Sequence, residues 1–208
     1  MIGRVSFGLI GALALAGCAT QMSAEDCASA DWAGLGENDG RAGEARERFG
    51  ERADRCGSFG VAADYEAYFA GRERGLRNYC TPESGYEAGR SGAPYRGVCP
   101  AGDEPEFLAE YNIGRRLYEL TQTHQSAVSA YESALSAIDY SRDRIRRARE
   151  ELRKDGLSDK ERDKLRKRID DERRDMERTE RDLPRLAAEI DQAFGRLEDY
   201  RAFLNRRY

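Results

Sequence analysis

Few residues of this 208-residue chain have the types and spacing that chemistry requires, and the five cysteines come first. The run Leu15-Ala16-Gly17-Cys18 closes a short N-terminal segment that has one basic residue, Arg4, and an apolar stretch from Val5 to Leu15. That is the layout of a signal peptide, with an apolar stretch too short to cross a bilayer as a helix. Small residues directly before a cysteine form a lipobox. It predicts acylation of the Cys18 thiol (palmitate among the chains), cleavage before Cys18 and acylation of the freed amine. One acyl chain anchors only marginally, whereas two or three hold durably. Ala19 follows where an Asp would favour the inner membrane, so the expected address is the outer membrane, lipid-anchored and facing the periplasm.

Cys27, Cys56, Cys80 and Cys99 remain, an even number in a compartment that oxidises thiols. Three connectivities are open. Neighbour pairing, Cys27 with Cys56 and Cys80 with Cys99, closes loops of similar size, each worth about 3 kcal/mol in the loop-entropy picture. Zinc is the rival reading. With no Cys-x-x-Cys and a single histidine, His124, it is disfavoured, and no metal or cofactor is expected.

Catalytic candidates are poor. His124 falls on an apolar helical column and reads as a core or rim residue. Asp31, Asp39 and Glu83 could pair as acid and base in a glycosidase-like cleft. Yet Asp31 before Trp32 suits a helix cap, and Asp39 beside Gly40 a helix N-terminus or a turn. No catalytic residue is assigned, and a non-enzymatic protein is expected. A binding site is less remote. The motif Tyr-x-x-Gly-Arg occurs at Tyr68–Arg72, Tyr86–Arg90 and Tyr111–Arg115. Tyr68, Arg72, Tyr86, Arg90, Tyr111 and Arg115 could present phenol and guanidinium groups together to a carboxylate, phosphate or glycan. The competing use of these arginines is pairing with nearby carboxylates.

The elements that must position these residues fall into two regions. Residues 18–110 carry 10 Arg, no Lys and 18 acidic residues, a net charge of −8; residues 111–208 carry a net +3. An acidic head on a mixed-charge tail argues against nucleic acid, which needs a concentrated basic face. Fifteen of the 21 glycines lie between Cys18 and Gly114, at helical intervals such as Gly36, Gly40 and Gly43, or Gly85, Gly89 and Gly92. Glycine inside a helix costs up to about 1 kcal/mol against alanine. Close backbone approach repays it, and short packed helices joined by turns are expected, with aromatics and disulfides supplementing a thin aliphatic core. The alternative places the glycines in positive-φ turns, which Thr81-Pro82-Glu83-Ser84-Gly85 and Ser91-Gly92-Ala93-Pro94 resemble.

Beyond the head, Ile169, Met176, Leu183, Ile190, Leu197 and Leu204 recur every seven residues, with Leu165, Leu186, Ala193 and Tyr200 as a second column. That is a coiled-coil pattern. An ascending helix keeps Tyr131, Ile138, Ile145 and Leu152 in one column. Its other column is read as Val128 and Leu135, followed by Arg142 and Arg149, where packing loosens. Gly156 stops the first helix, and Ser158 with Glu161 forms a capping box that restarts the second. Pro184 is expected to kink or break it.

The fold expected is mainly α. It comprises a signal peptide (1–17), a lipidated, disulfide-stapled Gly/Tyr-rich head (18–105) and a long antiparallel helical hairpin (106–208) with its turn near 154–160. The elements Asp31-Trp32, Gly36, Asp39-Gly40, Gly43, Cys56, Tyr68, Gly71-Arg72, Gly75-Leu76, Tyr79-Cys80-Thr81-Pro82, Gly85-Tyr86, Gly89, Tyr95, Gly97-Val98-Cys99-Pro100, Phe107, Tyr111 and Gly114 resemble an uncharacterised proteobacterial lipoprotein family. That family is catalogued as domain of unknown function 2799. The resemblance covers about Cys27 to Leu117 and implies a periplasm-facing lipoprotein, with no activity, substrate or site residues attached. Expected partners are the bilayer through acylated Cys18, and an envelope protein or a second copy through the hairpin. Recognition of cell-wall glycan by the head is the alternative role.

Overall fold

The computed structural model describes residues 22–208; Cys18 and the signal segment lie outside them. Among the described residues there are seven helices and no strands: α1 Ala24–Ala28, α2 Trp32–Arg41, α3 Arg48–Gly57, α4 Tyr65–Tyr79, α5 Pro82–Ser91, α6 Glu104–Leu152 and α7 Asp159–Arg207. They form two compact units. The first holds residues 22–79 and 96–98, and the second residues 80–95 and 99–208.

In the first unit, local chemistry sets the helix starts. Ser23 and Asp26 form a capping box on α1, and the Asp31 carboxylate caps α2 by accepting from the Gly34 amide at 3.0 Å. The core is aromatic. The Phe49 ring lies 5.0 Å from Tyr68, 5.3 Å from Tyr65, 5.4 Å from Phe69 and 6.1 Å from Trp32. The Cys27–Cys56 disulfide ties the segment before α2 to α3 within that cluster.

Helices α2 and α4 cross on glycine. A Cβ at Gly36 would collide with the Tyr68 carbonyl, one at Gly40 with that of Arg72, and one at Gly75 with that of Glu37. The third glycine of the trio has another task. Gly43, at φ +64, ends α2 above the Tyr79 ring. There the Glu44 amide donates to the Asp39 carbonyl and the Gly43 amide to that of Gly40, a Schellman-type closure that L residues adopt poorly.

The second unit repeats this device between α5 and α6. Gly85 meets the Phe107 carbonyl, Gly89 that of Tyr111, and Gly114 that of Tyr86. Gly92, at φ +80, ends α5 above the Tyr118 ring, and the Ala93 amide donates to the Ala88 carbonyl. These four contacts of the first pair thus recur with first-helix numbers raised by 49 and second-helix numbers by 39, whereas that of Gly71 with the Ala33 carbonyl does not. Cys80–Cys99 staples this pair from a cysteine just before its first helix to one between its two helices, as Cys27–Cys56 does in the first. Both pairings agree with the neighbour connectivity read from the sequence.

The rest of α6 and all of α7 form the hairpin. Gly156, at φ +83, and the Ser158–Glu161 capping box make the turn. The α7 column appears as its spacing predicts, with Ile169, Leu197 and Leu204 buried and Met176, Leu183 and Ile190 half-buried. On α6 the structure differs from the sequence reading. The second column runs through Ala134, Ser141 and Ala148, while Leu135, Arg142 and Arg149 are exposed. A column at Ile138 and Ile145 has flanks at both i−3 and i+3, and the heptad alone does not choose between them. The helix turns its small residues inward, where they admit the partner closely. Pro184 removes one backbone donor, yet α7 is assigned as one continuous helix through it.

Candidate functional site

The equivalence of the two helix pairs provides a way to look for a site: find where the copies differ. In the first pair Asp39, on the glycine face of α2, is 5% exposed. Its carboxylate accepts from Arg52 Nε at 2.8 Å and Nη2 at 2.7 Å, and from the fully buried Tyr68 hydroxyl at 2.7 Å. Burial, then the Asp39 carboxylate, pushes the Tyr68 phenol up. The hydrogen bond to Asp39 likewise holds Arg52 above its ordinary value. In the second pair the equivalent positions are Ala88 and Phe107, both apolar. A further exchange keeps its purpose. Arg72 Nη2 donates to the Glu44 carbonyl at 2.7 Å, and Tyr111, its equivalent, donates to the Ala93 carbonyl at 2.9 Å. Each side chain ties down the segment after the first helix of its pair.

Asp39, Arg52 and Tyr68 use their bonding capacity on one another. An open groove of about 510 Å³ beside them is walled by Asp31, Asn38 and Arg52. Asp31 is committed to the α2 cap and Arg52 to Asp39. The cluster therefore fixes a core, and its chemistry is turned inward. Arg52 was not singled out in the sequence. The available signal was Asp39 itself, since a carboxylate on a glycine-lined buried face needs an internal cation.

The six Tyr-x-x-Gly-Arg residues are divided between the two units. Tyr68 and Arg72 lie in the core of the first unit; Tyr86, Arg90, Tyr111 and Arg115 lie in the second. Arg90 pairs with Glu87, and Arg115 donates to the Gly92 carbonyl at 3.0 Å and lies over the Tyr118 ring. The motif's three glycines also occupy different places in the crossings, so it is not the repeating unit. Of the carboxylates considered for acid–base work, Asp31 and Asp39 lie in the first unit and Glu83 in the second. His124 is half-buried, 5.6 Å from the Phe194 ring. No group of three or more His, Cys, Asp or Glu among the described residues could hold a metal ion.

Unspent groups concentrate on the hairpin. Between Leu120 and Ile138 on α6, and between Ile169 and Ala193 on α7, no residue is fully buried. Leu135, Tyr140, Phe194 and Phe203 are exposed large hydrophobics. Nearer the turn, Glu172 occupies a seam position, accepts from Ser141 at 3.0 Å and pairs with Arg144 at 3.0 Å. At the other end the Tyr208 hydroxyl and Arg207 bond to Glu110, and both hold its carboxyl below the usual range. Tyr200 donates to the Ile113 carbonyl at 3.0 Å, fastening α7 to the part of α6 that carries the glycine crossing.

Fold and site together define an all-helical, disulfide-stapled protein built on a duplicated glycine-crossed helix pair that leads into a long hairpin. Residues 31–116, which contain both crossings, match the model of a family described as a protein of unknown function, DUF2799. The hairpin beyond residue 116 lies outside that match. No curated protein and no solved structure matches the chain. No described helix is long and apolar enough to cross a membrane.

Proposed function

We propose that this is an envelope lipoprotein, anchored through acylated Cys18 at the periplasmic face of the outer membrane, that acts without catalysis as an adaptor through its hairpin. One observation carries the adaptor role: the middle of the hairpin has a seam without a fully buried residue and leaves Leu135 and Phe194 at 40% and 49% exposure. Two helices bury one stripe each, and a third helix seated on this flank would cover what the pair leaves wet. The expected occupant is a helical segment of another envelope protein.

The test uses photo-crosslinking residues at Leu135 and Phe194 in intact cells, with a probe at exposed Asp170 as control. Adducts heavier than a dimer, formed from the first two positions, with the Phe194 adduct lost in Leu135→Glu, support the adaptor. Dimer adducts alone replace it with self-association. The anchor is tested separately: Cys18→Ser should abolish palmitate labelling and release the protein from the membrane fraction.

A further inference from the structure

The hairpin carries a second feature, which does not depend on that reading. Arg142, Arg146, Arg149 and Arg153 follow one another at intervals of four, three and four along α6, so they share one helical face. With Arg173 of α7 they line an open groove of about 400 Å³, in which Ile145 and Met176 supply apolar surface. Like charges one turn apart destabilise a helix. Two of the five have carboxylate partners: Arg142 pairs with Asp139 and Glu180, and Arg146 shares Asp143 with Arg147. Arg149, Arg153 and Arg173 have no carboxylate partner among the described residues, and Glu150 adds one negative charge to the lining. With Arg147 counted, six guanidinium groups face four carboxylates, and the groove keeps a residual charge of +2.

We propose that this groove is a binding site for a phosphomonoester. A phosphomonoester carries close to two negative charges at neutral pH, which matches the residual charge with a single group. Guanidinium forks present paired N–H donors to phosphate oxygens. The groove is larger than a bare phosphate needs, and Ile145 and Met176 offer the ligand's carbon body an apolar rest. A carboxylate brings half the charge and leaves one guanidinium unbalanced. The same chemistry is presented by a soluble sugar or aryl phosphate and by a lipid whose headgroup is a phosphomonoester.

The test is calorimetric titration of the full-length protein in non-ionic detergent with phenyl phosphate, its methyl diester and benzoate. Phenyl phosphate should bind at least tenfold more tightly than either control. Its affinity should fall severalfold from pH 7.5 to pH 5, as the second phosphate proton, with a pKa near 6, returns. A variant with Arg149→Gln, Arg153→Gln and Arg173→Gln should lose at least tenfold, with its helical circular dichroism retained. Arg201→Gln, at an arginine paired with Glu198 elsewhere on α7, should bind as the parent does. Flotation of the Cys18→Ser protein, which lacks the acyl anchor, with phosphatidic acid and with phosphatidylglycerol vesicles separates the sources. Arginine-dependent recruitment by phosphatidic acid alone assigns the lipid, and binding of phenyl phosphate without recruitment assigns a soluble ester. Equal binding of benzoate, unchanged binding by the triple variant, or no binding in either arm overturns the proposal.

Discussion

The two glycine-crossed helix pairs share three glycine-to-carbonyl contacts and fill the space beside them differently. In the first, the core beside the crossing is polar: Asp39 is held by Arg52 and Tyr68. In the second, Ala88 and Phe107 occupy the same register and close the core with carbon. The difference teaches that the crossing, set by Gly40 and Gly75 or by Gly89 and Gly114, is the invariant of the design. What lies beside it varies. A buried ion pair is a poor way to gain stability and a strict one, because removing one member strands the other.

The comparison is most exposed to failure at that cluster. Asp39→Ala should cost up to about 3–5 kcal/mol, since it leaves a half-buried guanidinium and a buried hydroxyl without their acceptor. Urea unfolding followed by fluorescence of Trp32, the sole tryptophan and a core residue of the first unit, measures it. Adding Tyr68→Phe and Arg52→Met should recover more than half of the loss by imitating the second pair. A triple variant weaker than Asp39→Ala would show that the two cores are not interchangeable solutions.

The staples come next. Replacing Cys27 and Cys56 by serine should lower stability by about 3 kcal/mol in the loop-entropy model. Replacing Cys80 and Cys99 should cost about 0.4 kcal/mol less, because their separation is 19 residues against 29. Paired thermal melts of the two double variants, compared with the reduced parent, check both size and order.

A smaller effect tests the shared register. Gly75→Ala and Gly114→Ala each place a methyl group against a carbonyl of the facing helix and should cost about 1–3 kcal/mol apiece. Gly195→Ala, whose Cβ meets nothing, should instead stabilise by up to about 1 kcal/mol. If Gly75 and Gly114 respond with opposite signs in urea titrations, the register equivalence fails.

The smallest effect concerns a position where the pairs part. Gly71 presses on the Ala33 carbonyl, whereas its equivalent, Glu110, turns to Tyr208 and Arg207. The bond from Tyr208, and next that from Arg207, lowers the Glu110 pKa in the fold. Its contribution is therefore present above the ordinary glutamate value near 4.3 and is lost as pH falls from there through the lowered folded value. Glu110→Gln should remove under about 1 kcal/mol at pH 7 and flatten the stability profile below pH 5. Melting the two proteins from pH 7 to pH 3 shows whether the curves converge.

Some of this was legible because it is local or periodic. The Ser158–Glu161 cap, the Gly156 stop and the α7 column are each fixed by a few residues or by a repeat of seven. The four cysteines needed only an oxidising compartment to be read as two bridges. The glycine clusters also read correctly as helix faces, with Gly43 ending α2 and Gly92 lying in the turn read there, whereas Pro82–Gly85, read as a turn, form the first turn of α5. The duplicated pair stayed hidden behind Tyr-x-x-Gly-Arg, a wording that recurs in non-equivalent places. Its first and second helices repeat at different offsets, so no single period exists to be found.

By itself, then, the sequence determined the helical class, the hairpin with its turn and cap, and the α7 column, all of which depend on nearby residues or on a regular interval. Tertiary structure alone decided which α6 flank faces α7, that Asp39 meets Arg52 thirteen residues away, and that three unpaired arginines share one groove. Periodicity says which residues share a stripe on one helix. Only the approach of a second backbone selects the flank that is buried and the charges that are brought together.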